Sequence, residues 1–258
     1  MKLYIFPNLR TEMHIDLAVA VTRRLVELGN TCSMDSERCE KMYSDRRYVL
    51  FPPEEADMIV AIGGDGSVLR GAKLAVRFDI PLLGINSGRL GFLCALDAKD
   101  LNSWTPGTLE SLVPSKRSLL SFELDGKEFS SLNDVIVAKE NFGESMEMDV
   151  SFCKEGYRFC GDGVIVATPT GSTAYNLSAG GAVVHLDVPA FVVTPICPHE
   201  PGVRSKVIPQ NACVEITLHR TGGRKAQVYS DGEYCGTVTE SLRIRGSEKI
   251  LTLLGSDK

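Results

Sequence analysis

The chain has 258 residues, of which 43% are hydrophobic and 24% are charged, and its formal net charge is −5. This is the composition of a globular protein, and its charge excludes broad binding of nucleic acid or of a membrane surface. No apolar run reaches the roughly 18–20 residues of a membrane span, and the first ten residues do not form a signal peptide. The eight cysteines include no CxxC pair, which argues against zinc sites and a disulfide framework. We therefore expect a cytoplasmic protein with reduced thiols.

The first hundred residues alternate strand-like runs with amphipathic stretches. Residues 2–6 (KLYIF) predict a strand, and an amphipathic helix follows, with Thr11 as a possible N-cap and Gly29 as its stop. Residues 57–62 (DMIVAI) and 80–86 (IPLLGIN) predict two buried strands, joined by a glycine turn and a helix from about residue 67 to residue 77. Strand, helix and strand at these lengths predict a parallel sheet covered by helices, in a domain spanning residues 1–100.

The pattern changes after residue 100. Residues 101–117 contain two prolines and a glycine and are interpreted as a linker. Short alternating segments with turn signals follow, among them Asp125-Gly126 and Asp231-Gly232, which predict an antiparallel β domain over residues 118–235. A final segment, residues 236–258, completes the chain.

A glycine loop interrupts the first domain after the strand at 57–62. A strand, a glycine-rich turn and a helix start form the geometry in which free backbone N–H groups point at an anion. The loop is not a Walker motif, and Leu69 stands where the third glycine of a dinucleotide fingerprint is expected. The candidate phosphate-binding residues are Gly63, Gly64, Gly66 and Ser67, and Arg70 one turn later adds a positive charge.

Asp65 is the unexpected residue of this loop, because a carboxylate repels phosphate. It is explained if it binds a Mg²⁺ that bridges phosphates or acts as a base on an attacking hydroxyl. The structural alternative is a tight Asp-Gly turn whose carboxylate caps the following helix. The loop by itself leaves these interpretations open.

Three segments resemble the NAD kinase family. The pentapeptide GGDGS resembles a loop shared by NAD kinases, diacylglycerol and sphingosine kinases and phosphofructokinases. Residues 81–93 (PLLGINSGRLGFL) are similar to an NAD kinase segment with a GINxGxLGFL core. They match it at Gly84, Ile85, Asn86, Gly88, Leu90, Gly91, Phe92 and Leu93. Residues 161–181 (GDGVIVATPTGSTAYNLSAGG) match the most specific pattern of that family almost without a break. On these motifs the chain is identified as a member of the NAD kinase family.

Two further groups of residues, at 133–134 and around Gly171, are suited to binding a nucleoside. Asn133 and Asp134 resemble the Asn-Glu pair of the family, and an adjacent amide and carboxylate suit the donors and acceptors of a ribose diol. Hydroxyls crowd a helix start near Gly171, where they can hold a ribose or phosphate, while Ala174 and Tyr175 offer apolar surface to a base. Those hydroxyl residues are Thr168, Thr170, Ser172 and Thr173. Three residues depart from the family pattern: Asp134 for Glu, Cys160 for a residue that is often basic, and Glu233 for Gln or Asn.

The resemblance implies a fold, a reaction and a set of site residues. The implied fold is a Rossmann-like α/β domain followed by a β-sandwich-like domain, with NAD between them and the last strand returning to the first domain. The implied reaction transfers a phosphoryl group from ATP to the 2′-hydroxyl of the adenosine ribose of NAD, with Asp65 as the base or metal-linked carboxylate. The predicted NAD-binding residues are Asp65, Gly66, Arg70, Asn133, Asp134, Asp162, Thr173, Ala174, Tyr175, Asn176, Leu177 and Ser178.

The implied cofactor is a divalent cation, Mg²⁺, although no metal ligand is assigned. The implied partners are NAD and ATP, with other nucleoside triphosphates or polyphosphate left open as donors, and a second or further copies of the chain in a homodimer or homotetramer. Two alternatives stand beside the NAD kinase. A lipid or sphingoid-base kinase could use the same GGDGS loop, but residues 161–175 have no place in it. A dinucleotide-binding regulator without catalysis would be consistent with Asp134 and Cys160.

Overall fold

The computed structural model describes residues 1–88, 91–141, 143–219 and 225–255. These residues form two compact units, and each is described by itself. The first unit comprises Met1–Lys116 and the chain from Leu251 onward, and the second comprises Arg117–Ile250. No helix within the described ranges is long and apolar enough to cross a membrane.

The first unit is a parallel sheet with helices. Its elements in chain order are β1 (Lys2–Pro7), α1 (Glu12–Glu27), β2 (Thr31–Ser33), α2 (Ser36–Tyr43), β3 (Met58–Gly63), α3 (Asp65–Phe78), β4 (Leu82–Asn86) and β5 (Leu96–Asp97). Short 3₁₀ turns cover Pro53–Glu55, Ala98–Ser103 and Pro106–Thr108. The strands lie in the order β4-β3-β1-β2 and all pair in parallel, and β5 adds to β4.

Local sequence explains these elements. The Thr11 side chain accepts a hydrogen bond from the backbone N–H of His14, so it caps α1 as predicted. Ala18, Val21 and Leu25 form the buried stripe of α1. Strands β3 and β4 are buried along their whole length, as strands in the middle of a parallel sheet are.

The sequence patterns missed part of this unit. Strand β2 has three residues, and α2 buries only Cys39 and Met42, so neither carries a strong apolar period. Within the segment interpreted as a linker, Trp104 and Leu109 are buried in the same core cluster as α1 and the sheet.

The second unit is built from strands. After β6 (Val113–Leu124), which begins in the first unit, they are β7 (Lys127–Ser131), β8 (Asp134–Lys139), β9 (Met146–Phe152), β10 (Glu155–Gly161), β11 (Gly163–Ala167), β12 (Ala190–Ile196), β13 (Lys206–Pro209), β14 (Val214–His219), β15 (Ala226–Ser230), β16 (Glu233–Val238) and β17 (Ser241–Gly255). A short helix, α4 (Tyr175–Ser178), lies between β11 and β12, directly after a 3₁₀ turn at Gly171–Thr173.

Two sheets of this unit enclose one core. The first has the order β10-β9-β14-β17, with β6 pairing with β17 and β7 with β6. The second has the order β13-β12-β11-β8-β15-β16 with antiparallel pairing. Phe122, Val150 and Ile216 from the first sheet share one buried cluster with Val137 and Val166 from the second. The predicted fold class, an α/β unit followed by a β-sandwich-like unit, is confirmed.

The end of β17 belongs to the first unit. Its residues Ser241–Ile244 pair with β14, whereas Leu253 and Leu254 pair with Leu82 and Leu83 of β4. The single long strand thus pairs with β14 in the second unit and with β4 in the first.

Candidate functional site

The glycine loop, residues 63–67, lies at the carboxyl ends of the strands in the parallel sheet of the first unit. Strand β1 leads to β2 on one side and β3 leads to β4 on the other, so the strand order reverses between β1 and β3. Open α/β sheets bind ligands at the carboxyl ends of the strands at this reversal. The loop connects β3 to α3 there, and the helix begins at Asp65, two residues earlier than predicted.

The loop is closely packed at one glycine and open at two. A Cβ on Gly63 would overlap the Ser67 side chain, which is 3% exposed. A Cβ on Gly64 or Gly66 would meet nothing within 4 Å. Arg70 donates a hydrogen bond to Oγ of Ser67 at 3.4 Å. The positive guanidinium group thus lies beside the hydroxyl that is predicted to bind phosphate.

The Asp65 carboxylate is held by the main chain of a second glycine-rich segment. Its Oδ2 accepts a hydrogen bond from the backbone N–H of Phe92, and its Oδ1 accepts one from Leu93, both at 3.0 Å. A carboxylate offers about four lone-pair sites, so each oxygen retains capacity for another donor or a cation. These bonds fix the carboxylate at the start of α3 and leave it chemically available.

Gly91 makes this arrangement possible. A Cβ at Gly91 would overlap the carboxyl group of Asp65. The segment 81–93 also contains an Asx turn, in which Oδ1 of Asn86 accepts from the N–H of Gly88 at 3.2 Å. Leu90, which forms part of the family match, lies outside the described residues.

In the second unit, Asn133 and Asp134 stand at the start of β8. The Oδ1 atom of Asn133 is buried and has no hydrogen-bond partner among the described residues. A buried acceptor that no protein donor satisfies is able to accept a hydrogen bond from a ligand. Asp134 is 4% exposed, and burial, with a further contribution from the charge of Asp231, raises its pKa to about 7.

This pKa predicts how stability depends on pH. The folded protein retains a proton on Asp134 up to about pH 7, whereas an unfolded chain releases it near its ordinary pKa of about 3.9. The contribution of Asp134 to the free energy of unfolding therefore decreases as pH rises between these values. The free energy of unfolding of Asp134→Asn, relative to that of the wild type, should therefore increase by about 2–3 kcal/mol when the pH is raised from about 5 to about 8. Urea unfolding of both proteins at both pH values measures the change, and a difference that does not vary with pH would contradict it.

Asp162 lies beside a cavity of about 360 Å³ in the second unit. Its carboxylate pairs with the ammonium group of Lys139 at 2.6 Å. The cavity has an apolar part, formed by Ile136 and Ile196, and Tyr175 at its edge with 47% of its surface exposed. An apolar floor, an aromatic ring and a charged pair are suited to a planar heterocycle with polar substituents.

The hydroxyl-rich segment divides into structural and exposed side chains. Oγ1 of Thr168 donates to the carbonyl of Leu132 at 2.6 Å, and Oγ of Ser172 donates to the carbonyl of Pro169 at 2.7 Å. Asn176 is buried: its amide group donates to Ser172 and Ala182, and its Oδ1 accepts from Thr194. The exposed side chains are Thr173, Tyr175, Leu177 and Ser178.

A close contact joins the hydroxyl segment, residues 168–173, to the turn at residues 132–134, which we call the Asn133 turn. The N–H of Thr168 donates to the carbonyl of Asn133 at 2.9 Å, and a Cβ on Gly171 would overlap that same carbonyl group. The structure therefore brings Asn133 and Asp134 next to residues 168–171. In the first unit it brings Asp65 next to residues 91–93, and Arg70 next to Ser67. The ligand roles of these residues stay predictions.

Sequence reasoning missed three partners of the site. They are the backbone N–H groups at 92–93, Lys139 beside Asp162, and Asp231, whose carboxylate contacts the Asn133 turn. Asp231 could have been recognised from its Asp-Gly turn, although the turn does not reveal its partner. Cys160 stands where the family often has a basic residue. Its main-chain N–H donates to the carboxylate of Glu200 at 3.1 Å.

Comparison with known proteins identifies relatives over almost the whole chain. A family model described as the ATP-NAD kinase N-terminal domain matches residues 4–111, and one described as the ATP-NAD kinase C-terminal domain matches residues 132–254. The chain is 34% identical to the NAD kinase of Methanothermobacter thermautotrophicus, over 85% of this chain and 78% of that protein. It is 30% identical to the NAD kinase of Lachnoclostridium phytofermentans, over 92% and 86%.

Two solved structures have the same fold. A yeast NADH kinase complexed with NADH superposes with a TM-score of 0.83 at 24% identity, over 99% of this chain and 83% of that one. An NAD kinase from Archaeoglobus fulgidus in complex with ATP gives a TM-score of 0.78 at 24% identity, over 100% and 95%.

Proposed function

Because the chain belongs to the NAD kinase family, we propose that it transfers a phosphoryl group from ATP to the 2′-hydroxyl of the adenosine ribose of NAD, giving NADP. The observation that carries this proposal is the Asp65 carboxylate, held by two backbone N–H groups at the start of a glycine-flanked helix. A carboxylate in a phosphate-binding loop is explained by phosphoryl transfer and by few other reactions.

In the proposed reaction Asp65 is the base. It accepts the proton of the 2′-hydroxyl as the ribose oxygen attacks the γ-phosphorus of ATP, the bond between that phosphorus and the β–γ bridging oxygen breaks, and ADP leaves. The bonds from Phe92 and Leu93 orient the carboxylate for this step without protonating it. Such positioning supplies a large part of the rate of phosphoryl transfer.

The glycine loop suits the donor phosphates. The first N–H groups of α3 lack helical partners and carry the positive end of the helix dipole. Because a Cβ at Gly64 or Gly66 would meet nothing within 4 Å, phosphate oxygens can approach the main chain there. Arg70 supplies a positive charge close to Ser67.

A divalent cation fits this donor set, and we propose Mg²⁺. Mg²⁺ is usually bound by one or two carboxylates together with substrate phosphates, and each oxygen of Asp65 has capacity beyond its one backbone bond. No group of three potential ligands occurs among the described residues, so we expect the cation to be held jointly with the nucleotide. When bound, it neutralises phosphate charge.

The second unit supplies groups suited to the acceptor. The unpartnered Oδ1 of Asn133 can accept a hydrogen bond from a ribose hydroxyl, and the adjacent Asp134 offers a second acceptor when ionised. Asp162 and Tyr175, beside the 360 Å³ cavity, suit a base or a nicotinamide amide. Because the side chain of Asn176 is committed to internal hydrogen bonds, we expect any contact it makes with NAD to be through its main chain.

The test incubates the purified protein with Mg-ATP and NAD and measures NADP with an NADP-specific dehydrogenase. We expect NADP formation in the wild type and a loss of about 10³-fold or more in Asp65→Asn, which is isosteric and lacks the basic carboxylate. Equal rates in the two proteins would remove Asp65 from the chemistry.

Further reactions distinguish the remaining alternatives. Polyphosphate in place of ATP tests the donor, and a sphingoid base in place of NAD tests a lipid kinase. NAD binding without turnover by any donor would indicate a regulator. A homodimer or homotetramer is proposed from the family resemblance, and a cytoplasmic location from the pattern of apolar runs and cysteines in the sequence.

A further inference from the structure

Asp231 concentrates an unusual number of main-chain hydrogen bonds on one carboxylate. Its Oδ2 accepts from the N–H of Leu132 at 2.9 Å, and its Oδ1 accepts from Asn133 at 2.7 Å and from Asp134 at 3.3 Å. Three successive N–H groups therefore converge on a side chain that lies about a hundred residues later in the chain. Such a cluster of donors stabilises a negative charge.

The contact is reciprocal. The N–H of Asp231 donates to the carbonyl of Asp134 at 3.0 Å, which continues the pairing of β15 with β8 into the turn. The buried hydroxyls of Ser131, three residues before Asp134, and Ser230, one residue before Asp231, are 2.6 Å apart. Residues 131–134 and 230–231 thus form one hydrogen-bonded unit.

The backbone of Asp231 leaves its side chain free for this role. Asp231 has φ of 52° and Gly232 has φ of 78°, as in the tight hairpin turn between β15 and β16. Asp and Asn adopt this left-handed conformation readily. The turn itself therefore requires no carboxylate. The three N–H groups require acceptor oxygens, and a carboxylate supplies two of them.

The same main chain is fixed on its other side by the hydroxyl segment. The carbonyl of Asn133 accepts from Thr168, and the carbonyl of Leu132 accepts from the Thr168 side chain. Both polar groups of the Asn133 main chain are thus used, and the unpartnered Oδ1 of its side chain is left for a ligand.

We propose that Asp231 is a positioning residue for the acceptor, which orients Asn133 and Asp134 toward the ribose by binding the N–H groups of residues 132–134. This inference rests on the proposed function for the identity of the acceptor. Asp231 itself does not contact the reacting atoms in this proposal. Replacing the Asp231 carboxylate should therefore raise the KM for NAD and leave the KM for ATP almost unchanged.

The test compares Asp231→Asn and Asp231→Gly with the wild type. Both replacements keep a residue that tolerates positive φ, and both remove the negative charge that receives the three N–H donors. We expect the KM for NAD to rise about 10- to 100-fold, because a misoriented binding group costs about this much, with the KM for ATP within about twofold. Melting temperature is measured on each variant, and at least one of the two must unfold within a few degrees of the wild type for its kinetics to count.

The matched control is Asp125→Asn. Asp125 occupies the same position in the other Asp-Gly hairpin turn, with φ of 51°, between β6 and β7. It is exposed and makes none of the bonds to residues 132–134. We expect the control to retain wild-type KM values for both substrates.

A measurement without turnover separates this inference from the proposed reaction. Amide hydrogen exchange of a peptide covering residues 132–134 should be faster in both Asp231 variants than in the wild type and in Asp125→Asn. A wild type that makes no NADP would refute the reaction, while the exchange rates would still decide on Asp231. Unchanged exchange and unchanged KM for NAD in both variants, or an equal loss in Asp125→Asn, would overturn the inference.

Discussion

Replacing Gly91 by alanine is expected to lower kcat by about 10²-fold, although Gly91 has no side chain to take part in the reaction. A Cβ at this position would overlap the carboxyl group of Asp65, which must then leave its bonds to Phe92 and Leu93. Displacing a base by about 1 Å has an effect of this size. The kcat for NADP formation measures the result.

Two controls show whether the loss arises at Asp65. A Cβ at Gly107, also in the first unit, would meet nothing within 4 Å, so Gly107→Ala should retain full activity. The double variant Gly91→Ala, Asp65→Asn should be no slower than Asp65→Asn alone, because both changes disable the same group. A Gly91→Ala enzyme with wild-type kcat would show that the observed position of the carboxylate does not matter to the reaction.

Replacing Gly171 by alanine is expected to destabilise the second unit by about 3 kcal/mol. The added Cβ would overlap main-chain atoms of Asn133, which cannot move aside as a flexible side chain can. Because the displaced atoms belong to the proposed ribose-binding residue, we also expect weaker binding of NAD. Urea unfolding followed by circular dichroism measures the first effect, and calorimetric titration with NAD measures the second.

The control for this change is Gly202→Ala. Gly202 is exposed, and a Cβ there would meet nothing within 4 Å, so its replacement should change the free energy of unfolding by less than about 0.5 kcal/mol. If Gly171→Ala were as stable as Gly202→Ala, the contact between the hydroxyl segment and the Asn133 turn would be looser than the structure shows.

Features set by neighbouring residues were predictable from the sequence. The strand before the glycine loop, the helix after it and the Thr11 cap of α1 all depend on residues a few positions apart. The fold class followed from the same local periods together with the family motifs. Helix α2 was missed because it buries only two apolar residues, which is too weak a period to recognise.

The hydroxyl segment shows where such prediction stops. Thr168, Ser172 and Thr173 look equivalent in the sequence, because each is a small hydroxyl residue beside a helix start. In the structure all three bond to main-chain carbonyls, but the first two are buried and Thr173 is exposed. Which hydroxyls can reach a ligand depends on the strands that pack around them.

By itself the sequence determined the family, the fold class and the candidate base, because these depend on short motifs and on the spacing of apolar residues. Only the tertiary structure decided what holds that base and its expected acceptor site in place. Leu93 reaches Asp65 across 28 positions of the chain, and Asp231 reaches Asn133 across 98. Hydrogen bonds of this kind form where the strand order brings distant main chain together, and no local pattern of residue types encodes that order.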